Sequence, residues 1–371
     1  MISATPSLPP PAIEQPAPHQ VSYGLVTGRA ARGTHMVIVS ANGRRLASEP
    51  LRGRRFSLRV SLPTGEVTVR VTTVARGGRR SFRVIEEVFG LPAGSRPRVV
   101  SARQDPVLAR RVRGLAREYA GAAGVYVQSL TGGGGAAWNA KAQFPAASTL
   151  KLAIAATVLA EHSGVPPPGS SIHSLLQSMI TRSDNASANA LEVWLAGSTS
   201  AGSQRVNSLM RSIGLVDSEM YGGYELRTLS GRIPVRVEHQ PAFGYGKHTS
   251  AFDMASLLRA IWLASGAQGP LREVQSGFTA ADGRYLLWLL AHVSDAPKLD
   301  RAREGNPGVV VLHKAGWLNT ARHDAGLVFW RGGVFVAGVM TWSSRGAGLS
   351  SDLLAGRVAA LTLERLRRTE G

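Results

Sequence analysis

Ser148-Thr149-Leu150-Lys151 opens an apolar run, and no other feature of the chain restricts its fold so tightly. The run reaches Ala160, is preceded by Pro145, and reads as a helix over 148–160. A serine three residues before a lysine on a helix puts both side chains on one face, about 5–6 Å apart at Cβ. A neutral amine there can take the hydroxyl proton and activate the serine as a nucleophile. The helix start adds unpaired N–H groups and the positive end of the dipole, which favour an anionic tetrahedral intermediate beside Ser148. A single S-x-x-K also occurs by chance on solvated helix faces. Here two further motifs follow in order. Ser183-Asp184-Asn185 lies in a bend between predicted helices at 171–181 and 186–196, and Lys314-Ala315-Gly316-Trp317 follows a predicted strand at 309–312. S-x-x-K, then S-D-N, then K-x-G is far more specific than any one of them.

With these motifs the chain resembles the serine β-lactamase and penicillin-binding-protein superfamily, and within it the class A β-lactamase catalytic domain, from about Ala102 to Gly371. Phe144-Pro145-Ala146-Ala147 before the nucleophile, Thr249 to Ala255 opening a helix, and His323-Asp324-Ala325-Gly326 on the strand after Lys314 extend the resemblance. It implies an α/β sandwich, an antiparallel sheet flanked by helices, with an all-helical lobe. It also implies roles: Ser148 is the nucleophile, Lys151 its base, and Ser183 a proton relay to the leaving nitrogen. Asn185 holds the substrate amide, and Lys314 at the end of the edge strand binds a substrate carboxylate. The N–H groups of Ser148 and Trp317, next to Gly316, form the oxyanion hole, and Arg322 makes a second carboxylate contact. Asp184 is expected to bond backbone at the bend.

Two positions depart from that pattern. Ala315 stands where the family has a hydroxyl that bonds the substrate carboxylate, a loss of about 1 kcal/mol in a typical hydrogen bond. The E-x-x-L-N loop, whose glutamate activates the deacylating water, has no match in 216–245; Glu219, Glu225 and Glu238 are there, and Glu225 sits nearest to the expected place. Three readings follow: β-lactam hydrolysis through Ser148, a peptidoglycan D,D-peptidase acting on D-alanyl peptides, or a non-catalytic relative that binds the cell wall. The five intact residues Ser148, Lys151, Ser183, Asn185 and Lys314 speak against the last.

Composition narrows the classes. The chain has 371 residues and no cysteine, which excludes disulfides, thiolate zinc sites and iron–sulfur clusters. No apolar segment reaches the roughly 20 residues a bilayer span needs. His239, His248, His313 and His323 show no H-x-x-H or H-E-x-x-H spacing, so neither a metal nor another cofactor is expected. His323 beside Asp324 imitates a Ser-His-Asp triad, but Lys151 already supplies a base and no G-x-S-x-G turn is present. Residues 1–103 carry sixteen arginines against five acidic residues, so +11 of the chain's +19 lies there. That charge suits solubility or an anionic cell-wall polymer; the strand-like basic stretches carry few aromatics and no nucleic-acid motif.

The chain divides into three stretches. Residues 1–20, rich in Pro, Ala and Ser, read as a linker. Residues 21–100 show period-two patterning between turns, including Asn42-Gly43, and read as a small all-β sandwich, Ig-like in the broad sense. Residues 102–371 form the catalytic domain. No signal peptide is visible; the Pro-rich linker leads to the expectation of an export signal or lipid anchor upstream, or of a misplaced start codon, and the protein is expected to be bacterial and secreted or envelope-associated. The glycine run at 132–135 reads as a hairpin turn, since no Gly-Lys-Ser/Thr follows it.

Overall fold

The computed structural model describes residues 8–225, 246–295 and 297–370. Backbone contacts divide the chain into two units, Met1–Arg96 and Pro97–Gly371.

The first unit is all-β. Its strands are β1 (Ala12–Gln15), β2 (Gln20–Ser22), β3 (Leu25–Arg29), β4 (Thr34–Ala41), β5 (Arg44–Pro50), β6 (Arg55–Arg59), β7 (Gly65–Ala75) and β8 (Arg80–Gly90). They form sheets in the orders β1-β3-β6 and β2-β8-β7-β4-β5. One core, including Val26, Val39, Phe56, Val69, Val71 and Val88, draws side chains from both sheets, because alternate residues of each strand turn inward. The β4–β5 hairpin closes at Asn42 and Gly43, whose φ values of 48° and 79° are the left-handed pair such a turn requires. The linker expected over 1–20 is corrected from residue 12 onward. Ala12 pairs with Arg29, and Ile13 packs on the core. Ala12–Gln15 is a proline-free stretch between Pro11 and Pro16, and it forms an edge strand, where flanking prolines are tolerated.

The second unit is built on a six-stranded sheet. Its elements begin with β9 (Arg103–Gln104), α1 (Pro106–Glu118), β10 (Ala122–Ser129), β11 (Gly134–Trp138) and β12 (Phe144–Pro145). Then come α2 (Lys151–His162), α3 (Ser171–Thr181), α4 (Asn185–Ala196), α5 (Thr199–Ser212) and β13 (His248–Thr249). The chain closes with α6 (Ala251–Ser265), α7 (Pro270–Val274), α8 (Ala280–Ala291), β14 (Val310–Leu318), β15 (Ala321–Trp330), β16 (Gly333–Trp342) and α9 (Leu349–Glu370). Sheet order is β14-β15-β16-β10-β11-β9, which makes β14 an edge strand. On one face α1 and α9 pack through Leu108, Val112, Val358 and Leu366 onto Val125, Val328 and Val339. On the other, α6 covers β10, β15 and β16, and α8 covers β14. Helix α2, buried from Lys151 through Leu159, is surrounded by α3, α4, α5 and α8. The expected mixed α/β fold is present, with the helices on both faces of the sheet.

Candidate active site

Ser148 does not lie inside the helix, as the apolar run predicts, but in the turn that feeds it. Ala147 takes a left-handed φ of 47°, Thr149 Oγ1 donates to the Ala146 carbonyl at 2.6 Å, and Lys151 N–H donates to the Ser148 carbonyl at 3.2 Å. The turn keeps the three-residue spacing of Ser148 and Lys151 while tipping the serine to the helix mouth. Two neighbours pin it. Ala146 N–H donates to the Lys247 carbonyl at 2.8 Å, and His323 Nε2 donates to the Pro145 carbonyl at 2.6 Å.

That last bond settles His323. Its Nδ1 accepts the Thr341 N–H at 3.2 Å, and burial pushes the ring down to about 4, so it is neutral with both nitrogens engaged by backbone. Asp324 does not touch it; Asp324 pairs with buried His313 at 2.8 Å and accepts the Leu299 N–H. The imitation of a triad is therefore structural: His323 ties the Ser148 turn to the sheet.

The three motifs meet around Ser183. Its backbone is left-handed, φ 60°, and Asp184 caps α4 by accepting the Ser187 N–H at 2.6 Å, the backbone bond expected of it. The bend turns the Ser183 carbonyl to Lys151 Nζ and its hydroxyl to Lys314 Nζ, the latter at 2.9 Å. Lys151 Nζ also donates to Asn185 Oδ1 at 2.5 Å. A neutral amine has two N–H groups and one lone pair. Both N–H groups are taken by these acceptors, which leaves the lone pair as the amine's remaining bonding site. Burial, with the Lys314 charge beside it, pulls the Lys151 amine down to about 7, against Asp184, Glu225 and Asp295. Burial also pulls Lys314 down, opposed by Asp295, whose carboxylate lies 3.7 Å from Nζ, and by Asp324.

Lys314 is not at the end of its strand. β14 continues to Leu318, and its glycine runs directly against the Ser148 turn: a Cβ on Gly316 would stand 2.8 Å from Ser148 N and 3.0 Å from Thr149 N. Ala315 is buried, and its carbonyl accepts from Lys314 Nζ at 2.9 Å. Trp317 is 62% exposed at the open end of the strand. Arg322 faces the other way from Lys314. It is Trp317's cross-strand partner, and its guanidinium pairs with Asp352 of α9 at 3.1 Å, so the structure gives it to α9 rather than to the lysine cluster.

The segment after α5 supplies what sequence reasoning misses. Asn189, one turn after Asn185 on α4, clamps Tyr224: its Oδ1 accepts the Tyr224 N–H at 2.6 Å and its Nδ2 donates to the Tyr224 carbonyl at 3.0 Å. The spacing of four is visible in sequence, but its target is not. The Tyr224 ring centroid lies 4.6 Å from Lys151 Nζ. Glu225 follows, exposed, with a left-handed φ of 56°, and its charge is felt at Lys151. Glu219 accepts from the Tyr221 hydroxyl at 3.1 Å and bridges His248 through backbone; Glu238 and His239 lie outside the described residues. Asp295 carries no motif. Among the described residues no group of three or more His, Asp or Glu is placed to hold a metal ion, and no helix is long and apolar enough to cross a membrane.

The model of the beta-lactamase enzyme family matches residues 106–164 and 163–366. Among solved structures, that of PBP-A is similar at TM-score 0.58 and 19% identity, covering 73% of this chain and all of that one. A β-lactamase from Desulfarculus baarsii is similar at 0.54 and 16%, covering 70% and 97%. The β-lactamase from Streptomyces albus G is similar at 0.53 and 22%, covering 70% and 99%. No curated protein matches.

Proposed function

Because the chain belongs to the beta-lactamase enzyme family, we propose that it is a serine acyl-transfer hydrolase whose Ser148 takes the acyl group of a β-lactam or a D-alanyl peptide. The observation that carries this reading is Lys151: a buried amine near neutrality, its two N–H groups held by Ser183 and Asn185, three residues from a serine. In the proposed step the Ser148 proton passes to Lys151 and Oγ attacks the carbonyl carbon. The N–H groups of Ser148 and Trp317 take the oxyanion. The C–N bond then breaks, and the leaving nitrogen receives a proton through the Ser183 hydroxyl. Lys314 binds the substrate carboxylate and holds Ser183; Ala315 adds no hydroxyl to that contact.

Release of the acyl group needs a base for water. Beside Lys151 stands the face of Tyr224, and among the described residues the amine bonds Ser183 and Asn185 rather than a carboxylate, which supports a long-lived acyl-enzyme and a peptidoglycan-directed D,D-peptidase. One structure similar to this chain is a mutant of PBP-A as an acyl-enzyme complex with penicillin G. A second reading, class A-type β-lactam hydrolysis, rests on Glu225, whose charge acts on Lys151. A wall substrate implies a secreted or envelope-associated enzyme, and the basic N-terminal unit then suits an anionic wall polymer.

A time course of the penicillin adduct by intact mass tests both readings. A stable adduct on wild type and none on Ser148→Ala supports the peptidase reading. Rapid loss of the adduct that Glu225→Gln abolishes supports hydrolysis. Equal labelling of Ser148→Ala overturns the nucleophile.

A further inference from the structure

Tyr224 is held more firmly than a loop residue needs to be. Both its backbone groups are clamped by Asn189, and the residue is 8% exposed. Two lysine amines address that one ring: Lys151 Nζ at 4.6 Å from the centroid and Lys247 Nζ at 4.7 Å. Lys247 Nζ also donates to the Gly223 carbonyl at 2.5 Å. The phenol takes no part in this. Its one contact among the described residues is Met220 Sδ at 4.0 Å, and burial, with Glu192 nearby, keeps it protonated far above the usual range. What Tyr224 presents to the site is its π-face, which attracts a cation and is indifferent to a neutral amine.

We propose that Tyr224 is a positioning residue of acylation: its ring face holds the protonated Lys151 in place and thereby governs when that amine becomes free to act as base for Ser148. The inference rests on the reading of Ser148 and Lys151 given above. Charge from other elements also reaches Lys151, from Lys314 on β14, Asp184 before α4, Glu225 beside the ring and Asp295 after α8. Near Tyr224 stand Lys247 before β13 and Glu192 on α4, the latter bonded to Ser203 at 2.7 Å and raised by burial to about 7. None of these is altered by substitution at 224, so the ring's share can be read separately.

The experiment is the pH dependence of the acylation rate with a fluorescent penicillin, on the full chain. Wild type should rise to a plateau through a midpoint near 7. Tyr224→Phe keeps the ring and should keep the midpoint. Tyr224→Leu keeps an apolar wall without the π-face, and its midpoint should fall by about 0.5–1.5 pH units. Pentafluorophenylalanine at 224 keeps the shape and reverses the ring's charge distribution, so its midpoint should fall at least as far; it decides the matter if the leucine variant fails to fold. Midpoints that coincide in all four proteins overturn the role of Tyr224 while leaving Ser148 chemistry intact. A wild type that forms no adduct, or a Ser148→Ala variant that labels equally, fails the underlying reading instead.

Discussion

Gly316→Ala is the sharpest perturbation the structure offers, because the new methyl meets backbone that cannot rotate away. Its Cβ would stand 2.8 Å from Ser148 N, 3.0 Å from Thr149 N and 3.1 Å from Ala147 Cβ, whereas ordinary contact begins at 3.4 Å. The strand and the turn must therefore separate by about 0.6 Å. The two N–H groups assigned to the oxyanion lie on either side of this contact, at Ser148 and Trp317. A misplacement on the order of 1 Å costs about 100-fold in rate, and loss of one oxyanion donor costs about 10²–10³-fold. Acylation by a fluorescent penicillin should accordingly slow by about 100-fold, near 2.7 kcal/mol in the barrier. Overpacking of this kind costs about 1–3 kcal/mol, so the melting temperature should drop by several degrees while the circular dichroism spectrum is kept. Acylation within twofold of wild type, together with an unchanged melting temperature, would refute the close approach of β14 to the nucleophile and the oxyanion assignment with it.

Lys151→Ala should slow acylation by about 10²–10⁴-fold, the ordinary worth of a general base. In wild type the acceptor is the neutral amine, so the rate should fall tenfold per pH unit below about 7 and flatten above it; a flat profile from acid to alkaline pH denies Lys151 the role. Lys314→Ala removes a positive neighbour of Lys151, so the midpoint should move up, opposite to the shift expected on replacing Tyr224 by leucine, and capture of carboxylate-bearing substrates should weaken. Asp184→Ala deletes the cap of α4 and should cost about 0.5–2 kcal/mol in a denaturant melt, with Asp184→Asn losing much less. Retention on isolated cell walls should depend on the basic unit and vanish near 1 M salt, where the Debye length is about 3 Å; retention that survives such salt contradicts an electrostatic role.

The residues legible in the sequence are those whose partners lie at a fixed chain separation. Ser148 and Lys151 are one turn apart, and Ser183 and Asn185 flank a capping aspartate, so local geometry alone brings each pair together. Lys314 and Gly316 carry no such local partner and are found through their motif. Arg322 is misplaced by sequence for want of one quantity, the register of β15. Strand residues alternate faces, and His323, which bonds Pro145 on the Ser148 side, forces its neighbour at 322 toward α9 and Asp352. Tyr224, Lys247 and Asp295 escape for a different reason. They stand on irregular segments, where no period reports direction, and their partners lie on other elements of the chain. Asn189 shows what such a contact does. Its amide replaces the ladder bonds a strand would have supplied to Tyr224, so a residue without secondary structure is fixed as firmly as one within it. The proposed nucleophile and base thus stand where periodicity is strong. Tyr224 and Glu225, adjacent in sequence and different in kind, stand where it is weak, and only the fold shows that the Tyr224 ring lies against the lysine.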